Sequence, residues 1–142
     1  MAGHGYKLVD GRVFHYARYI DWLVTTPLLL LDLGALAGLS TEDMLMLVAL
    51  DVLMVLCGFA GGLSHGNSSL VMWILGCGFF LPIVFDLAVT FRAKAKVVSA
   101  AASVCYDKLV VLTVLLWTAY PVVFYLGEYK EIISTTTEIG LY

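Results

Sequence analysis

Four apolar runs, each close to twenty residues long, divide this chain and limit what it can become. In hydrocarbon every backbone N–H and C=O must find a partner inside the protein, so runs of this length fold as spanning helices. They cover about Val13 to Ala37, Met44 to Leu63, Leu70 to Phe91 and Cys105 to Leu126. Of the 142 residues, 61% are hydrophobic and 13% are charged, where a soluble domain carries about 25% charged residues. The predicted fold class is an all-α, multi-pass integral membrane protein, with the lipid bilayer as its first partner.

The connections carry their own signals. Gly38-Leu39-Ser40-Thr41-Glu42-Asp43 predicts a short turn in which Ser40 or Thr41 caps the second helix, with acids in its first turn. Ser64-His65-Gly66-Asn67-Ser68 predicts a second compact turn. Arg92-Ala93-Lys94-Ala95-Lys96 reads as a longer, basic connection. The N-terminal MAGHGYKLVDGR is polar and Gly-rich and has no signal-peptide core. It reads as a loop leading into a span, so Met1 is not expected to be the natural start.

Charge and cysteine usage exclude other classes. The formal net charge is −3 and no basic run offers a phosphate-binding surface, which argues against a nucleic-acid partner. Arg92, Lys94, Lys96 and Lys108 lie on one side of the spans; Lys7, Arg12, Arg18 and Lys130 lie on the other. The counts balance, and the denser cluster after the third span places that side in the cytoplasm. Cys57, Cys77 and Cys105 form no C-x-x-C pair and read as small buried apolar residues. His4, His15 and His65 are not at ligand spacing, so no metal site is expected.

The first span holds the chemistry. Asp21 and Asp32 are eleven residues apart in RYIDWLVTTPLLLLDL, an advance of about 20° beyond three full turns. They share a helix face, separated by roughly 16 Å along the axis. An aspartate near a span centre costs on the order of 2.5–3.5 kcal/mol, so it normally faces a bundle interior. Arg18 and Thr25 each lie about one turn from Asp21. A carboxylate beside a cation stays charged, whereas one among leucines is pushed toward its neutral form. That contrast makes an acceptor and a donor, and suggests a proton pathway along this helix. The alternative is a pair of interfacial, snorkelling acids.

RYxDWLxTTPLLLLDL at residues 18–33 resembles the microbial (type 1) rhodopsins, the bacteriorhodopsin-like retinal proteins. The likeness continues through Asp51, Met54 and Gly58, Trp73, and Trp117-Thr118-Ala119-Tyr120-Pro121-Val122-Val123. It implies that the four spans are helices three to six of a seven-helix bundle, a transporter or photoreceptor and not an enzyme. It further implies that Asp21 is the counterion of a protonated retinal Schiff base and the first proton acceptor. Thr25 bonds to it, Arg18 gates the outer half-channel, and Asp32 is the donor on the cytoplasmic side. An Asp-Thr-Asp triplet is typical of the family's outward proton pumps. Light would isomerise retinal, the Schiff base would pass its proton to Asp21, and Asp32 would restore it.

The resemblance also implies the lining of a pocket for all-trans-retinal: Trp22, Thr26, Asp51, Met54, Gly58, Trp73, Cys77, Trp117, Tyr120, Pro121 and Phe124. Trp117, Tyr120, Pro121 and Phe124 share one helix face; taken alone, that stripe reads as ordinary packing. Glu128 and Glu138, ten apart, resemble the two glutamates of an outer proton-release group, with exposed loop acids as the alternative. Asp86 reads as near-interfacial. Phe124, Gly76, Cys77 and Phe80 depart from common family residues near the ring end of the pocket, and Pro82 within the third span is unusual. The family holds retinal through a lysine in its seventh helix, and Lys7, Lys94, Lys96, Lys108 and Lys130 all lie outside span interiors. The chain is therefore expected to be partial, with residues 127–142 a loop and the start of the seventh helix. Family members often form homo-oligomers, and no interface is readable here. A photosensor working through a partner is the alternative function, with a light-gated channel or a non-retinal transporter behind it.

Overall fold

The computed structural model describes the backbone of Tyr6–Lys7 and Val13–Phe14, and residues 16–126 in full. Tyr6–Lys7 (β1) and Val13–Phe14 (β2) pair antiparallel, with Tyr6 opposite Phe14. Helices follow at Tyr16–Leu36 (α1), Thr41–Leu63 (α2), Asn67–Phe85 (α3), Phe91–Val98 (α4) and Ala100–Phe124 (α5). A π-turn at Asp86–Thr90 joins α3 to α4 without a break. Among the described residues, four helical stretches are thus long and apolar enough to cross a membrane.

The chain starts and stops its helices for local reasons. Ser40 caps α2 as predicted, its hydroxyl accepting the Asp43 N–H at 3.2 Å. Gly38 sits in the turn before it at φ 67°, a conformation that glycine adopts without strain. A Cβ on Gly38 would also lie 2.8 Å from a methyl of Val98, so the α1–α2 turn packs tightly on the end of α4. The first helix begins at Tyr16, since Val13–Phe14 belong to the hairpin.

The expected basic connection is a helix instead. Arg92 to Lys96 lie inside α4, where alternating Ala and Lys are strong helix formers. The break falls at Ser99, which is extended (φ −169°, ψ 159°) and whose hydroxyl accepts the Ala102 N–H to start α5. The fourth spanning helix accordingly begins at Ala100, ahead of Cys105. Residues 67–98 form one 32-residue helical rod of about 48 Å, longer than a hydrocarbon core of about 30 Å. The basic α4 therefore projects beyond the apolar slab. Pro82 sits inside α3 without ending it. The irregular turn lies four residues further on, not at the Gly78 carbonyl, which is the one a proline at 82 deprives of a donor.

Packing is uneven along the bundle. A large apolar cluster fills the half that ends at α4, built on Leu30, Leu33, Leu47, Ile83, Leu87, Phe91 and Val110. A smaller cluster around Tyr19 and Val55 lies toward the hairpin end. Arg92 pairs with Asp107 of α5 at 2.7 Å, and Lys94 with Asp43 of α2 at 2.5 Å. Leu45, Leu81, Phe85 and Leu115 remain exposed, an apolar surface that lipid accommodates and water does not. Cys57 and Cys77 are half-buried, but Cys105 is exposed on α5 and so is not the buried residue expected.

Candidate functional site

An apolar cavity opens between α1, α2, α3 and α5, enclosing about 720 Å³ of empty space with its open side included. Of the eleven residues expected to line it, ten do: Trp22, Thr26, Met54, Gly58, Trp73, Cys77, Trp117, Tyr120, Pro121 and Phe124. Each helix supplies residues at helical spacing, so the cavity is the meeting of four stripes. Trp22 and Tyr120 stand with ring centroids 5.0 Å apart, and Tyr19 meets Trp22 edge-on at 5.4 Å. The Trp73 indole N–H donates to the Pro121 carbonyl at 3.0 Å, which fixes one wall. Gly58 leaves room beside Tyr19, whose ring would be 3.4 Å from an added Cβ. Flat rings and a bare backbone make a slot suited to a planar, apolar ligand.

Asp51 does not line this cavity; it lies behind the wall. Its side chain is fully buried, and its Oδ2 is 2.6 Å from Thr26 Oγ1, which also lies 2.8 Å from the Trp22 carbonyl oxygen. A hydroxyl carries one proton and donates once. Both bonds are made together only when Thr26 donates to the carbonyl and a protonated Asp51 donates to Thr26. Asp51 Oδ1 is buried with no hydrogen-bond partner, an arrangement far more costly for a carboxylate than for a neutral acid. The pair ties α1 to α2 directly behind the cavity.

Asp21, Thr25 and Asp32 occupy a different surface of α1. All three are exposed, as are Ala17, Ile20, Val24, Leu28, Leu31 and Ala35. These positions recur every three or four residues and form one complete open face. Asp21 and Asp32 thus share a face, as their spacing predicts. The Thr25 hydroxyl donates to the main-chain carbonyl of Asp21 at 2.9 Å, rather than to its carboxylate. The Arg18 guanidinium lies 5.2 Å and 5.5 Å from the ring centres of Tyr19 and Trp22, a cation held over aromatic faces beside the cavity. Of Leu28 to Leu31, only Leu30 is fully buried. Leu30 and Leu33 turn away from the acids and pack with partners on other helices.

Tyr19, Val55 and Met72 also line the cavity and were not anticipated. Met72, Trp73, Gly76, Cys77 and Phe80 form one stripe on α3, so the periodicity around Trp73 was the signal for Met72. Tyr19 stands one turn before Trp22 and was readable in the same way. Glu128, Glu138, His4 and His15 lie outside the described residues. Asp86 lies in the π-turn, half-buried, and accepts from the Thr90 hydroxyl at 3.0 Å. Among the described residues, no three His, Cys, Asp or Glu side chains are grouped to hold a metal ion.

Comparison with known proteins gives a consistent picture. Residues 1–142 match the family described as "Bacteriorhodopsin-like protein". The chain is 34% identical over 142 residues to the bacteriorhodopsin-II-like protein of Haloquadratum walsbyi, covering 97% of this chain and 56% of that one. It is 35% identical over 135 residues to sensory rhodopsin-2 of Natronomonas pharaonis, covering 95% and 56%. It superposes with a TM-score of 0.88 on the crystal structure of the light-driven proton pump LR (Mac) from Leptosphaeria maculans, at 35% identity, covering 92% of this chain and 54% of that one. The chain spans about half the length of the curated relatives it matches.

Proposed function

The chain belongs to the family of bacteriorhodopsin-like proteins, the microbial rhodopsins, and on that premise we propose that it supplies the acceptor–donor half of a light-driven outward proton pump. The observation that carries the reading is the pairing of Asp21 and Asp32 on the open face of α1, next to an apolar cavity walled by three tryptophans. The cavity fits all-trans-retinal: Trp22, Trp73, Trp117 and Tyr120 would hold its plane, and Gly58 would admit it past Tyr19. When bound, retinal would supply a light-driven change of shape and a protonatable imine, on a lysine expected in a further helix.

The protein's own groups then have separate tasks. Asp21, near the hairpin end, accepts a proton on its carboxylate. Arg18 stands within one turn of it, where a guanidinium stabilises the charge that proton movement leaves, while the Thr25 hydroxyl is held by the Asp21 main-chain carbonyl. Asp32, toward the α4 end, releases a proton toward the centre. Leu28 and Leu31 lie between the two acids on that face and would keep water from short-circuiting them once the face is covered. Arg18 and its aromatic partners close the other side. The open face of α1 carries two acids and a hydroxyl, so further protein rather than lipid is the cover it requires.

A sensory function is the second reading, and the similarity to sensory rhodopsin-2 favours it. The two readings separate by experiment. The complete gene product, expressed with all-trans-retinal, should acidify the medium under light, and a protonophore should abolish the signal. A pigment that cycles slowly with no external pH change would overturn the pump and leave the sensor. The next apolar span of the gene should also carry an Asp-x3-Lys pattern; its absence would remove the retinal reading altogether.

A further inference from the structure

The π-turn at Asp86–Thr90 plays no part in the site described above. Here the Phe91 N–H reaches back five residues to the Asp86 carbonyl, not four. Such a widening leaves one carbonyl of the turn without a ladder donor. In this turn the Leu87 carbonyl accepts from the Tyr106 hydroxyl of α5, at 2.9 Å. Tyr106 and Leu87 are both fully buried, so no water substitutes for either group.

The register of everything beyond the turn depends on it. An α-helix advances 100° per residue, so losing the extra residue of the π-turn would rotate α4 by about that angle. In the present register Arg92 meets Asp107 and Lys94 meets Asp43, while Phe91 and Ala95 point into the apolar cluster. Rotated, none of these four side chains keeps its partner. One buried hydroxyl therefore selects between two packings of the same helix end.

We propose that Tyr106 is a positioning residue whose hydroxyl holds the π-register, making the α4 end a two-register hinge. Release of the Leu87 carbonyl lets the turn relax toward α geometry, breaks both ion pairs and unpacks the apolar plug around Leu33, Leu87 and Phe91. The hinge would then open the path along which Asp32 regains a proton, a consequence that rests on the pump reading.

The test compares the complete gene product with its Tyr106→Phe variant, which keeps the ring and loses the hydroxyl. Deuterium exchange of the amides of residues 86–98 in the dark should rise roughly tenfold, the effect of one lost hydrogen bond, with the visible absorption unchanged. Under light, Schiff-base reprotonation should become several-fold faster. Exchange equal to wild type overturns the latch. Raised exchange with an unchanged reprotonation rate overturns the role in proton uptake. If Tyr106→Phe does not fold, Asp107→Asn replaces it: raised exchange across 86–98 supports the hinge, and a rise confined to the neighbours of Arg92 overturns it. A wild-type protein that binds no retinal defeats the proposed function, while the exchange measurement still decides the latch.

Discussion

Asp32 and Asp51 are both aspartates inside spans, and their surroundings give them opposite uses. Asp51 has a bonded partner in Thr26 and is closed to solvent, so it serves as a structural tie. Asp32 stands on an open face, as the proposed donor role requires. Asp32→Asn should slow Schiff-base reprotonation in the complete protein by about 10²-fold or more, the usual contribution of a positioned proton donor. External azide should restore part of the rate, and flash photolysis measures both. A photocycle unchanged by the substitution would remove Asp32 from the donor role. The proton count at Thr26 leads to a contrast between two further variants. Asp51→Asn keeps a neutral donor and should cost little, whereas Thr26→Val strands a buried acid and should cost about 1–3 kcal/mol. Equal losses in equilibrium unfolding would show that Asp51 is not the donor in this pair.

The elements follow local rules closely where a capping side chain is present. Ser40 at the head of α2 was readable because a hydroxyl followed by acids is a start signal. The head of α5 lies upstream of the expected start because Lys94 and Lys96 resemble a polar connection, whereas their neighbours are alanines and the helix stops only at Ser99. Charge marks where a helix leaves the bilayer, not where it ends. The turn at Gly38 offers a measurable consequence. Gly38→Ala should destabilise the protein by about 1–2 kcal/mol, from the left-handed backbone alone, with a further loss from the contact with Val98. Adding Val98→Ala should recover only the contact part. Full recovery in the double variant would mean that the backbone conformation is not the source of the cost.

For the molecule as a whole, two kinds of exposed surface carry different expectations. Leu115 is exposed among Val111, Leu112 and Leu116, and Val24 is exposed between Asp21 and Thr25. In the complete protein a spin label at Leu115 should collide freely with dissolved oxygen in the lipid. A label at Val24 should be shielded by neighbouring helices. Equal oxygen accessibility at the two positions would contradict a protein-covered α1 face. The sequence by itself determined the four spans, the common face of Asp21 and Asp32 and most of the cavity lining, because each depends on a helical period or a family motif within one segment. Only the tertiary structure decided that Asp51 lies behind the cavity, that Val55 belongs to it, and that Tyr106 meets the π-turn. Those facts depend on how far one helix is rotated against its neighbour. That rotation is set by the fit of side chains from several helices at once, which no single period contains.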